Sequence, residues 1–175
     1  MVTPAARTGF ALAAVIFVLD QASKWIALGP LALPERTNGL DILPIFRLIY
    51  TQNYGVSWGM MTAQSDLQRW VLVGVTLFIS IGAAIWLARE TSRVEALGLG
   101  LIVGGAGGNV LDRVRLGAVT DFLNIHFGGW SPFLVFNVAD AAITIGVLIL
   151  LAWALRTGGK ERSGAASRSG DEENA

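Results

Sequence analysis

The chain has 175 residues, of which 53% are hydrophobic and only 15% are charged, with 13 basic and 13 acidic side chains. A soluble domain carries about 25% charged residues, so this composition predicts an integral membrane protein. The absence of Cys and the single His exclude disulfides, thiol nucleophiles and Cys-rich or His-rich metal sites. The zero net charge gives no general attraction to nucleic acid. We therefore expect no metal, no other cofactor and no nucleic-acid partner.

Four apolar segments are long enough to cross about 30 Å of hydrocarbon as helices, which takes roughly 20 residues each. The first resembles a cleavable signal peptide because Arg7 precedes an apolar run, but no small-residue cleavage site follows and the helical pattern continues to Trp25. The sequence therefore predicts an all-α membrane protein with four transmembrane helices. These spans lie at about 8–28, 67–88, 95–114 and 136–156.

Two segments outside the spans have distinct compositions. Residues 40–50 combine apolar, β-branched and aromatic residues, with Asn38-Gly39 and Pro44 as turn signals, which predicts a short sheet or hairpin at the membrane surface. Residues 157–175 are polar and rich in Gly and Ser, which is typical of a disordered tail.

Four spans place both chain termini on the same side of the membrane. The basic residues divide almost evenly between the two sides, so their number alone does not orient the protein. The short connection between the second and third spans carries Arg89 and Arg93 directly between two membrane segments. The positive-inside rule therefore favours cytoplasmic termini and a cytoplasmic tail.

Polar residues within the spans are concentrated at one end of the predicted bundle. Charges inside a membrane are costly and normally face the bundle interior or a wet cavity. Because successive spans alternate in direction, the ends of spans one and three and the start of span four meet at one interface. With the two connecting loops, they bring together Asp20, Lys24, Asn53, Asn109, Asp112, Arg113, Asp121, Asn137 and Asp140.

Two of the aspartates differ from the others in their sequence surroundings. Asp20 can pair with Lys24, and Asp112 can pair with Arg113 or with a neighbouring helix, so both have a structural interpretation. Asp121 and Asp140 have no basic residue three or four positions away. An unpaired carboxylate at a membrane interface indicates a functional role.

Two carboxylates that lie close together share a proton and titrate as a unit. The ionised partner can take a proton from water as it attacks a peptide carbonyl, and the protonated partner can donate to the carbonyl oxygen. The same residues also suit a small proton-translocating or cation-translocating membrane protein. The spacing of Gly100, Gly104 and Gly108 suits close helix packing, including that of a scaffold subunit. Sequence spacing alone therefore leaves peptide hydrolysis by an aspartic protease as one option among these.

Four segments together resemble lipoprotein signal peptidase, also called signal peptidase II, a family of bacterial intramembrane aspartyl proteases. They occur in the family's order with comparable spacing, and all four on a four-span chain of this length are far more specific than any one of them. The segments are DQASK at 20–24, NYGVSWG at 53–59, GGAGGNVLDRVRLGAVTDF at 104–122 and FNVADAAITIG at 136–146.

The resemblance implies that Asp121 and Asp140 are the catalytic dyad and that the 37–58 connection is the family's small extracytoplasmic β-cradle. Small side chains at two of the matching positions, Gly105 and Ala139, would leave room for the peptide. The family pattern also implies that ten residues shape the pocket or contact substrate: Asp20, Lys24, Asn53, Gly55, Gly105, Asn109, Asp112, Arg113, Asn137 and Ala139.

The resemblance also implies a substrate and a location. The substrate would be a prolipoprotein that carries diacylglycerol on its lipobox cysteine, cleaved on the amino side of that cysteine. The enzyme would lie in the bacterial inner membrane with its active site on the extracytoplasmic side. Its other partners would be membrane lipids, and we expect a monomer.

Overall fold

The computed structural model describes residues 2–55, 66–128 and 130–172. Each of its four long helices contains a segment long and apolar enough to cross a membrane, so the protein is a multi-pass membrane protein. The four predicted spans are confirmed, with ends that differ by a few residues. The helices are α1 Pro4–Leu28, α2 Asp66–Arg89, α3 Arg93–Leu116 and α4 Val138–Glu172.

A small antiparallel sheet joins the ends of the helices, with strand order β1-β2-β3. Strands β1 (Leu40–Leu43) and β2 (Phe46–Asn53) form the predicted hairpin. The third strand, β3 (Val119–Ile125), was expected to be a loop and pairs along β2 instead. Its β-branched and aromatic residues favour a strand, and pairing with β2 satisfies backbone groups that a free edge would leave open.

One apolar cluster attaches the sheet to the end of the helical bundle. Leu48 of β2 and Phe122 of β3 are buried together with Ala27 of α1 and Leu33 of the short 3-10 helix Leu33–Glu35. The sheet is therefore packed against the bundle, and its strands hold their polar residues at fixed positions beside the helices.

Helix α3 contacts the other three helices, and its glycines make that position possible. A Cβ atom on Gly100 or Gly104 would collide with the α1 backbone at Gly9 or Ala13. The predicted close packing through small residues is thus confirmed. Gly105 and Ala139, which we expected to leave room for a peptide, lie at the contact between α3 and α4. A Cβ on Gly105 would lie 2.5 Å from the Ala139 carbonyl oxygen, and Ala139 is fully buried, so these residues bring α3 and α4 together.

Two contacts place the start of α1 and the later part of α4 at the end of the bundle opposite the sheet. The Thr3 hydroxyl donates to the Glu90 carbonyl oxygen in the connection between α2 and α3. Trp153 Nε1 of α4 donates to Glu95 Oε1 of α3 over 2.7 Å. The start of α1 and the later part of α4 therefore lie at the same end, as four alternating spans require.

Helix α4 continues to Glu172, beyond the predicted end of the fourth span at 156. This differs from the disordered tail expected from 157 onward, of which residues 173–175 lie outside the described residues. Extension of a formed helix needs no new nucleus, and the segment contains no proline. Both facts favour continuation of the helix.

Candidate active site

The polar residues that were predicted to converge do so at the sheet end of the bundle. Asp121 lies on β3, opposite Thr51 of β2. Asn53 is the last residue of β2, and Asp140 lies in the first turn of α4. The sheet and the start of α4 therefore hold the two candidate carboxylates close to the ends of α1 and α3.

Asp121 is buried and accepts hydrogen bonds from two amide side chains. It is 1% exposed, and its two oxygens accept from Asn53 Nδ2 at 3.0 Å and from Asn137 Nδ2 at 2.6 Å. Burial raises the pKa of Asp121 to about 6, with the charge of Asp140 acting in the same direction and the Asn53 hydrogen bond opposing it. This carboxyl therefore retains a proton to a much higher pH than an ordinary aspartate.

Asp140 is partly exposed and is held by different donors. Its Oδ1 accepts from Asn109 Nδ2 at 2.8 Å, and its Oδ2 accepts from the backbone N–H of Asn137 at 3.3 Å. The backbone N–H of Asp140 donates to Asn137 Oδ1 at 2.9 Å. Asn137 thus contacts both candidate carboxylates and links them through one residue.

An open apolar pocket of 540 Å³ reaches Asp140. The carboxylate lies at its wall, so a ligand in the pocket would have access to it. The remaining lining residues are Ile125, Pro132, Phe133, Leu134, Phe136, Ala141, Thr144 and Ile145.

A buried ion cluster lies behind the candidate dyad. Lys24 Nζ lies 2.8 Å from Asp20 Oδ2 and 2.9 Å from Asp112 Oδ2, and all three side chains are almost fully buried. The predicted pair of Asp20 and Lys24 is confirmed. Of the two partners considered for Asp112, the structure selects the neighbouring helix α1 and not Arg113.

Arg113 faces the candidate dyad without a direct ion pair to it among the described residues. The charges of Asp140, Asp121 and Asp112 act through space on its guanidinium, and its buried Nε has no hydrogen-bond partner in the described part of the chain. The search for basic residues three or four positions from Asp121 and Asp140 in the sequence therefore did not find Arg113, a cation that lies near both carboxylates in the fold.

Gly55 has a structural role next to Asn53. Its φ of +94° is in the region that favours glycine, and its backbone N–H donates to Asn53 Oδ1 at 2.8 Å. This contact turns the Asn53 amide so that Nδ2 points to Asp121. Residues 56–58, the end of the expected cradle, lie outside the described residues.

Three residues that the sequence analysis did not select also contribute to the site. Gln21 Nε2 donates to both Asp20 and Asp112, at 3.1 and 3.0 Å. The Thr120 carbonyl oxygen accepts from Asn137 Nδ2 at 3.3 Å. Arg69 of α2 donates to the carbonyl oxygens at the end of α3. Two of these had a sequence signal, because Gln21 lies one residue from Asp20 within DQASK and Thr120 lies one residue from Asp121 within the segment 104–122.

The described residues contain no group of three or more His, Cys, Asp or Glu side chains arranged to hold a metal ion. The site itself supplies two carboxyls that can accept and donate protons. One of them is buried and the other borders an apolar pocket.

Comparisons with known proteins show which proteins this chain is similar to. A protein from Rhizorhabdus wittichii named lipoprotein signal peptidase is 54% identical over 147 residues, which cover 84% of this chain and 85% of that protein. A lipoprotein signal peptidase from Sphingopyxis alaskensis is 44% identical over 169 residues, 97% of each chain. A solved bacterial membrane enzyme, determined by the in meso method at 2.3 Å resolution, has the same fold. Its TM-score is 0.73 at 24% identity, over 87% of this chain and 90% of that one.

The family match covers most of the chain. The sequence model described as signal peptidase (SPase) II matches residues 12–156. This range contains the second and third membrane-spanning segments, most of the first and fourth, the three-stranded sheet and every residue of the candidate site. The chain therefore belongs to the signal peptidase II family.

Proposed function

We propose that the protein is an aspartic endopeptidase that removes signal peptides from diacylglyceryl-modified prolipoproteins, with Asp121 and Asp140 as its catalytic dyad. Cleavage occurs on the amino side of the lipid-modified cysteine. Membership of the signal peptidase II family and relatives named lipoprotein signal peptidase support the substrate class. The observation that carries the assignment of the dyad is that Asn137 hydrogen-bonds to both carboxylates.

In the proposed reaction, Asp121 starts with the proton and Asp140 starts ionised. Asp140 takes a proton from water while the water oxygen attacks the scissile carbonyl carbon, and Asp121 donates its proton to the carbonyl oxygen. The intermediate then collapses: the C–N bond breaks, Asp140 gives its proton to the leaving nitrogen, and Asp121 recovers a proton from the intermediate's hydroxyl. The two carboxyls thus return to their starting states.

Burial and exposure support this division of roles. Asp121 is 1% exposed and its pKa is raised to about 6 by burial, which favours the protonated form. Asp140 is partly exposed at the wall of the apolar pocket, where water and a peptide can reach it. The amide groups of Asn53, Asn109 and Asn137 orient the carboxylates.

The apolar pocket supports a substrate that carries lipid. It lies beside the first turns of α4, where a membrane-spanning helix begins. A substrate that diffuses laterally in the bilayer can place apolar groups there while its scissile bond meets the carboxylates near water. The extended backbone of a peptide would lie beside the sheet, as is common in peptide recognition.

We also propose the inner membrane, cytoplasmic termini, an extracytoplasmic active site and a monomeric state. Arg89 and Arg93 support this orientation because they lie between two spans at the terminal end. Lys24 is held in the buried cluster at the other end, so it does not act as a free loop charge.

The distribution of acidic residues does not support proton or cation translocation. Such a pathway places acidic groups at successive depths of the membrane. Helix α3 carries no acidic residue between Glu95 and Asp112, and α1 carries none before Asp20. The acidic groups lie at the helix ends, which leaves the middle of the membrane without a relay.

The test is cleavage of a synthetic diacylglyceryl-modified prolipoprotein peptide by purified variants. Asp121→Asn and Asp140→Asn, made separately, are expected to abolish cleavage while the protein still inserts and folds. Asp41→Asn is the matched control, because Asp41 lies on the exposed face of β1 and pairs with Arg47; this variant should retain activity. Cleavage by either dyad variant at the wild-type rate would rule out the proposed dyad.

A further inference from the structure

Lys24 is 3% exposed and lies at the centre of a buried polar cluster. Its ammonium has three donor hydrogens and three acceptors within reach. These are Asp20 Oδ2 at 2.8 Å, Asp112 Oδ2 at 2.9 Å and Asn109 Oδ1 at 3.2 Å. The three acceptors come from two different helices, so one side chain joins α1 to α3.

Each carboxylate bound by Lys24 also holds the backbone next to one member of the dyad. Asp20 Oδ1 accepts from the backbone N–H of Ala139 at 3.0 Å, and Ala139 directly precedes Asp140. Asp112 Oδ2 accepts from the backbone N–H of Thr120 at 3.1 Å, and Thr120 directly precedes Asp121. The two backbone segments that carry the dyad are therefore attached to the same ammonium group, each through one carboxylate.

The third acceptor connects Lys24 to the carboxylate of Asp140. Because an ammonium only donates hydrogen bonds, the oxygen of the Asn109 amide faces Lys24. The amide nitrogen then faces the other way and donates to Asp140 Oδ1 at 2.8 Å. Lys24 thereby determines which end of the Asn109 amide is presented to the dyad.

The positive charge is essential to this arrangement. Without it, Asp20 and Asp112 would be two like charges buried near each other, an arrangement that favours separation or protonation. Either response weakens the hydrogen bonds that these carboxylates accept from Ala139 and Thr120. The two backbone segments would then move independently.

We propose that Lys24 is the positioning residue of the dyad: through Asp20, Asp112 and Asn109, it holds Asp121 and Asp140 at a set separation and orientation. The structural part of this inference stands on the contacts above. Its consequence for catalysis rests on the proposed function.

The first experiment is hydrogen–deuterium exchange of Lys24→Met in detergent or lipid nanodiscs, read by mass spectrometry. Exchange should become about tenfold faster in peptides that contain the amides of Thr120 and Ala139. Exchange in residues 93–104, at the far end of α3, should remain unchanged. Lys24→Gln, which keeps an amide donor, should show a smaller effect in the same segments.

The second experiment separates kcat from KM with a diacylglyceryl-modified prolipoprotein peptide. Because Lys24 is almost fully buried and acts on the dyad through other residues, Lys24→Met should lower kcat per folded molecule by about 100-fold, the size of effect that a small misplacement of catalytic groups causes. Its KM should remain close to that of the wild type, and Lys24→Arg should recover part of the loss. The matched control is Trp153→Phe, which removes a contact between α3 and α4 at the opposite end and should leave kcat unchanged.

These outcomes separate the two proposals. Unchanged exchange at Thr120 and Ala139 in a folded Lys24→Met protein would overturn the positioning role, as would faster exchange with a normal kcat. Equal acceleration along the whole of α3 would also overturn it, because that result indicates general loosening. If the wild type does not cleave the peptide, the proposed function fails, while the exchange measurement still decides whether Lys24 holds the two segments.

Discussion

Asn137 and Asp121 are joined by a hydrogen bond of 2.6 Å from Nδ2 to Oδ1, although one residue directly precedes α4 and the other lies on β3. The backbone N–H of Asn137 also donates to Asp140. The Asn137 side chain is fully buried, so its amide donors are fully committed to the protein. This residue therefore couples the strand that carries one carboxylate to the helix that carries the other.

Replacement of Asn137 by Leu should uncouple the two carboxylates. The variant removes the side-chain donor to Asp121 and keeps a similar volume, so we expect kcat to fall by about 100-fold with a smaller change in KM. Steady-state kinetics on the lipid-modified peptide measure both constants. The control is Asn124→Leu, because Asn124 lies on the same strand as Asp121 but contacts Ser131. Equal losses of kcat in the two variants would argue against a specific role for Asn137.

The pH dependence of kcat/KM should report the proton on Asp121. Burial raises the pKa of this carboxyl from 3.8 to about 6. Asp121 is the proposed proton donor, so activity should fall as the pH rises through about 6 and the carboxyl loses its proton. An increase in activity through the same interval would instead assign Asp121 as the base.

Asn53→Leu should move this ionisation to higher pH. The Asn53 amide donates to Asp121 and stabilises the ionised form, so its removal raises the pKa of Asp121 further. The measurement is the midpoint of the alkaline limb of kcat/KM. Gln52→Leu, a change on the neighbouring exposed position of β2, should leave the midpoint where it is in the wild type.

Filling the apolar pocket should weaken substrate binding more than it slows the chemistry. Ile145 lines the pocket one turn beyond Ala141, and Ile145→Trp should raise KM by roughly tenfold because bulk replaces space for apolar substrate groups. Leu148→Trp is the control at an exposed position of the same helix outside the lining. An unchanged KM for Ile145→Trp would place the lipid-bearing substrate elsewhere.

Gly104→Val should destabilise the bundle, whereas Gly82→Val should not. A side chain at Gly104 meets the α1 backbone at Ala13, and one at Gly82 has nothing within 4 Å. Overpacking costs about 1–3 kcal/mol, or a loss of several degrees in Tm for a chain of this size. The Tm of each variant is measured by thermal unfolding with Trp fluorescence as the signal. Equal Tm values for the two variants would contradict the tight α1–α3 contact.

The local sequence was sufficient for the membrane-spanning helices and for the set of candidate residues. An apolar run of about 20 residues has one common solution in lipid, a helix that satisfies its own backbone groups. Because successive helices alternate in direction, the C-terminal ends of α1 and α3 and the start of α4 then meet at one interface. The absence of Cys and the single His left aspartates as the candidates for chemistry.

Tertiary structure alone decided how these residues are connected. Asp112 pairs with Lys24, which lies 88 residues earlier in the sequence. The Ala139 N–H donates to Asp20, which lies 119 residues earlier. Packing between distant segments also produced three other features: the pairing of β3 with β2, the close contact of Gly105 with Ala139, and the pocket beside Asp140. Hydropathy reports how each segment interacts with lipid, whereas a buried charge or amide is satisfied by whichever partner the folded bundle brings within about 3 Å.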